Sequence, residues 1–201
     1  MKKVTPLFSY LFHPVFTPLY GAILYFILQD TSLEIRQIWL VLIQIIIITI
    51  FIPIAFYYLL KSMGKINSVM ASQIDERKIP LVIQAVLLFI LAKDSIRVDV
   101  LEELHYFFVG GLISTVVSFA LLFVKMKSSL HLVGISSLTA FVIGLSISNQ
   151  SNYLVLISVM ILLNGIIATS RLEMKAHNLK EVIFGFCIGL FSQMVVWKFW
   201  L

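Results

Sequence analysis

Long, uninterrupted apolar runs set the pattern of this chain. Seven stretches read as membrane-crossing helices: residues 10–28, 38–60, 79–92, 106–124, 130–147, 153–169 and 181–199. About 20 apolar residues suffice, because a helix rises ~1.5 Å per residue against a hydrocarbon core of ~30 Å. Pro14 and Pro18 interrupt the first stretch and the third is short, so these two are expected to be tilted, re-entrant or partly interfacial. The runs are continuous rather than alternating, which disfavours a β-barrel. The predicted fold is therefore all-α, a polytopic membrane bundle of six to seven transmembrane helices forming one domain over residues 1–201. Only residues 61–78 and 93–105 leave room for an amphipathic surface helix.

Composition agrees with this pattern. Of 201 residues 60% are hydrophobic and only 12% charged, which excludes an ordinary soluble domain. Mean hydropathy is +1.03. Lys2 and Lys3 precede the first apolar run, but its prolines and the lack of a small-x-small cleavage site favour a retained helix over a signal peptide. Cys187 is alone and can form no intrachain disulfide. The net charge of +5 comes from basic residues in short loops beside the spans, so phospholipid headgroups rather than nucleic acid are the expected partners. Trp39, Tyr57, Tyr58, Tyr106, Trp197 and Trp200 fall near span ends, where amphipathic rings prefer to sit.

If all seven stretches cross, the N-terminus and loops 61–78, 125–129 and 170–180 share one side. Lys and Arg are in excess there, but the excess vanishes when the residues from Arg77 onward are set aside as possible anion ligands. Orientation thus stays open. What the parity of crossings does predict is that Arg77, Lys78, Lys127, Ser129, His131, Arg171, His177 and Glu181 gather at one membrane face.

Several of these residues can do chemistry together. On a helix, His177 and Glu181 at i and i+4 would lie one above the other, so the carboxylate can fix the imidazole tautomer and leave one nitrogen lone pair free to attack. Arg171, just upstream, offers a planar fork of donors suited to phosphate oxygens. Lys127-Ser128-Ser129-Leu130-His131 opens the fifth stretch, where a helix N-terminus attracts anions; Ser129 can donate to phosphate and His131 can protonate a departing alkoxide. Arg77 or Lys78 adds positive charge ahead of Pro80. The competing interpretation is a set of solvated charges on interfacial loops. His177 with Glu181 lacks the further ligands a metal site needs, so no cofactor is expected.

The string Ser170-Arg171-x5-His177-x3-Glu181-x3-Gly185 resembles the third signature of the type 2 phosphatidic acid phosphatase family, S-R-x5-H-x3-D, with a carboxylate one methylene longer. Ser129 and His131 are similar to the serine and histidine of its second signature, P-S-G-H, with Ser128 in place of proline and Leu130 in place of glycine. The first signature, K-x6-R-P, has only Arg77-Lys78-Ile79-Pro80 as a counterpart. The resemblance implies a metal-independent phosphatase of membrane lipid phosphates or pyrophosphates, with its catalytic core in residues 77–199 and a bacterial inner membrane as its expected location. It implies His177 as nucleophile, Glu181 as its orienting acid and His131 as proton donor. Arg171, Ser129, Ser170, Arg77, Lys78 and Lys127 would then be phosphate ligands. A catalytically weak or inactive relative that binds or moves phospholipids is the alternative. His13 and His105 read as interfacial histidines, Gly185-x3-Gly189 as a close-packing face, and Gln44, Gln84, Asn164 and Gln193 as links between helices, or as lining of a lipid cavity.

Overall fold

The computed structural model describes residues 5–65, 74–96 and 98–201, which form helices and no strand. In chain order these are α1 (Thr5–Leu11), α2 (Thr17–Leu28), α3 (Ile35–Ile46), α4 (Ile52–Ser62), α5 (Ile74–Ile90), α6 (Glu102–Phe123), α7 (Leu130–Ser148), α8 (Leu154–Glu173) and α9 (Leu179–Trp197). A 3-10 turn, Pro14–Phe16, separates α1 from α2; a π-helical turn, Ile47–Phe51, joins α3 to α4 in one rod. Lys2 and Lys3, named above, lie outside the described residues.

Among the described residues, six segments are long and apolar enough to cross a membrane: Leu7–Leu28, Ile35–Ser62, Glu102–Phe123, Leu130–Ser148, Leu154–Glu173 and Leu179–Trp197. They fit an integral membrane protein. Large apolar side chains point outward from them, Val155 being 80% and Leu162 67% exposed, as lipid contact requires. The third predicted stretch is helical too, but α5 opens on Asp75, Glu76, Arg77 and Lys78, and its π-helical continuation, Leu91–Ser95, carries Lys93 and Asp94. Its apolar part is too short to count with the six. The prolines act as their chemistry dictates: lacking an N–H, Pro14 breaks the first segment, and Pro53 follows a widened turn of the α3–α4 rod. No helix occupies the connection between Ser95 and Glu102 in the described residues.

α7 is the centre of the bundle, buried on nearly all sides against α2, α6, α8 and α9. Its tightest neighbour is α9. A Cβ on Gly185 would meet the Ser129 carbonyl, and one on Gly189 would meet Val133 O and Ser136 Oγ, so both positions require glycine for the backbones to approach. The predicted small-residue face therefore packs on α7. Amides link helices as expected: buried Asn164 donates to Thr139 Oγ1 (2.7 Å) and buried Gln193 to the Phe107 carbonyl (3.0 Å), while exposed Gln44 donates to Ser95 Oγ (2.9 Å). At one end of the bundle the N-terminus of α5, the α6–α7 loop and the α8–α9 loop meet. Arg77 donates to the Ser128 carbonyl (3.1 Å), and the Ser129 N–H to the Glu181 carbonyl (3.0 Å).

Gly189→Leu should lower the unfolding temperature in detergent, with overpacking costing about 1–3 kcal/mol. Gly165→Leu, where nothing lies within 4 Å of a new Cβ, should leave it unchanged. Equal behaviour of the two variants would contradict the α7–α9 packing.

Candidate functional site

The loop between α8 and α9 builds the site around one carboxylate. Asn178 caps α9, its Oδ1 accepting the Glu181 N–H at 3.0 Å and its amide donating to Glu181 Oε1 at 3.3 Å. The other carboxylate oxygen lies 2.6 Å from His177 Nδ1, and Lys127 Nζ is 3.7 Å from Oε1. His177 precedes the cap, so its contact with Glu181 spans the entry turn of α9 instead of one helix face as expected. The consequence for the ring is the same. With Nδ1–H given to the carboxylate, Nε2 keeps its lone pair.

Burial, chiefly, and then the nearby Arg77 and Arg171 guanidinium groups hold the His177 imidazole down at about 4, against the upward pull of its Glu181 bond. Near neutral pH the ring is uncharged and nucleophilic. Arg77 is itself buried, which lowers its affinity for the proton while Glu181 opposes the change; it stays a cation.

His131 lies on the first turn of α7, with Nε2 3.0 Å from the Ser9 carbonyl. A carbonyl only accepts, so Nε2 carries the proton and Nδ1 is the open nitrogen. Ser9 also reaches α8, its hydroxyl 2.7 Å from that of Ser170. Beside Ser170, Arg171 is buried, with Nη1 3.8 Å from Met174 Sδ. Ser129 precedes α7 and is fully buried; its N–H is spent on Glu181, while its Oγ has no hydrogen-bond partner among the described residues.

These elements enclose a cavity of about 480 Å³. Arg77, Arg171, His131, His177, His13 and Tyr10 line its polar end. Leu60, Leu81, Leu88, Phe107 and Phe108 line its apolar body, with Gln84 and Gln193 among them. A tetrahedral anion attached to an apolar tail matches that division. Of the residues expected from sequence, His131, His177, Arg77 and Arg171 are thus brought to one cavity. Ser129, Ser170, Lys127 and Glu181 stand behind it and support those that line it. Lys78 is not brought in: it turns to solvent and pairs with Asp75 at 2.7 Å. His13, expected to be a bland interfacial residue, lines the cavity instead. The other, His105, turns away and bonds the Ile96 carbonyl (3.1 Å).

No three His, Cys, Asp or Glu side chains among the described residues form a metal-holding group. No family model, curated protein or solved structure matches the chain.

The His177 ring should titrate far below a free imidazole when followed by ¹⁵N NMR of ring-labelled protein. Glu181→Gln removes the partner that favours the cation, so the midpoint should move lower still. An ordinary midpoint near 6.5, or an upward move in Glu181→Gln, would contradict the assigned bond.

Proposed function

We propose that this chain is a membrane phosphohydrolase that removes phosphate from lipid phosphates or pyrophosphates, a divergent member of the type 2 phosphatidic acid phosphatase family. The observation carrying this reading is the cavity, which joins two arginines and two pinned imidazoles, brought from α5, α7, α8 and the α8–α9 loop, to an apolar body.

In this scheme Arg77 and Arg171 hold the phosphoryl oxygens, whose charge spreads in a loose transition state. His177 Nε2 attacks phosphorus while Glu181 keeps the proton on Nδ1 and stabilises the cationic ring. The P–O bond to the lipid breaks, and the leaving oxygen takes the proton that the bound phosphate monoanion brings, relayed through Nδ1 of His131, the nitrogen not bonded to Ser9. Water then attacks the phosphohistidine and gives its proton to the same Nδ1. The P–N bond breaks, inorganic phosphate departs with that proton and both rings are restored. No step requires a metal.

The position of Lys78 outside the cavity favours a second reading, a phosphate-binding relative without turnover, since the clamp there lacks a lysine from α5. A phosphate-release assay of purified protein over a panel of lipid phosphates, with EDTA present, separates the two. The hydrolase releases phosphate. His177→Ala abolishes the release, and Arg171→Ala lowers kcat/KM about 10- to 150-fold, the equivalent of ~1.5–3 kcal/mol for a charged hydrogen bond. Binding of the lipids without release would instead establish the second reading.

A further inference from the structure

Three imidazoles, not two, line the polar end of the cavity: His13, His131 and His177. The protein pins one nitrogen of each. Glu181 takes the Nδ1–H of His177, and the Ser9 carbonyl takes the Nε2–H of His131. His13 is pinned in the opposite sense, since its Nδ1 accepts the Val15 N–H at 3.3 Å. In a neutral ring an accepting Nδ1 has no proton, so the proton sits on Nε2. The three neutral rings are therefore inequivalent. His177 Nε2 and His131 Nδ1 are lone pairs, whereas His13 Nε2–H is a donor.

The His13 ring is also held in place. It caps the 3-10 turn Pro14–Phe16, and the Phe16 N–H closes on the His13 carbonyl at 2.9 Å. Pro14 has its own φ fixed by its ring and biases the preceding residue, His13, to extended backbone, observed at φ −64° and ψ 139°. The ring stands edge-on to that of His131, with centroids 5.3 Å apart and planes at 85°. A fixed N–H donor beside the nitrogen that would serve the leaving oxygen can complete an anion's hydrogen bonding without contributing a full charge.

We propose that His13 is a substrate-binding residue whose Nε2–H donates to an anionic oxygen of the phosphate or diphosphate headgroup next to His131. The proposal rests on the cavity being a lipid-phosphate site, and extends that site to the N-terminal segment, which none of the three resembled signatures contains. It also gives the break at Pro14 a purpose: it turns the residue before it into the cavity wall.

The test uses the full chain in nanodiscs, as wild type, His13→Ala and His13→Gln. Inorganic phosphate binding is measured by calorimetry, phosphate release from the best-hydrolysed lipid by steady-state kinetics, and folding by thermal unfolding. His13→Ala should weaken phosphate binding and raise KM about tenfold, with a smaller effect on kcat. His13→Gln, whose amide N–H reaches a similar point, should recover most of the loss. Unchanged affinity and KM in a folded His13→Ala protein would overturn the proposal. So would equal losses in both variants, which would mark the broken Val15 cap rather than a missing donor. A wild-type protein that binds phosphate through His13 yet hydrolyses no lipid would remove the hydrolytic reading and leave this contact standing. A wild-type protein that binds no phosphate would remove both.

Discussion

Glu181 is the residue on which the site depends. Its carboxylate holds His177 by the Nδ1–H, and its backbone carbonyl accepts the Ser129 N–H that ties the start of α7 to the start of α9. One residue therefore sets both the tautomer of the candidate nucleophile and the distance between the helices that carry the two halves of the site. Asn178 donates a hydrogen bond to the same carboxylate and Lys127 pairs with its charge at 3.7 Å, as a part-buried charge requires. The close approach is possible because Gly185 offers no side chain opposite the Ser129 backbone.

The bundle and the site use the membrane in complementary ways. Outward-facing apolar side chains satisfy the bilayer, and the buried polar residues split into two groups. Asn164 and Gln193 bond across helices within the bundle, whereas the arginines and imidazoles collect at one end. A lipid phosphate has the same polarity along its length. The cavity likewise runs from charged residues to apolar ones.

Much of this was legible in the chain. Continuous apolar runs predict helices long enough to span, but the parity count assumed seven crossings where six segments among the described residues qualify, so the meeting of Arg77 with the α6–α7 loop follows from packing and not from counting. The S-R-x5-H-x3-E spacing places Arg171 and His177 at one cavity because the turn joining α8 to α9 is too short to separate them. Other features were not legible, for identifiable reasons. Arg77 and Lys78 are adjacent, and successive helix positions differ by about 100° in direction, so the packing of α5 alone decides that Arg77 faces inward while Lys78 pairs with Asp75 in solvent. The partner of His131 is a backbone carbonyl, that of Ser9, and a carbonyl has no residue-type signature. His13 is remote in sequence from every other site residue; only Pro14 beside it marked a break, with no hint of what the break would face.

The proposed reaction turns on attack of His177 Nε2 on phosphorus. Its most direct test is to mix the protein rapidly with a hydrolysable lipid phosphate, quench under denaturing alkaline conditions that preserve phosphohistidine, and locate the phosphoryl group by mass spectrometry. The account predicts a transient phosphoryl group on His177, absent from His177→Ala. Steady phosphate release with no covalent phosphate at His177, or with the group on another residue, would contradict it.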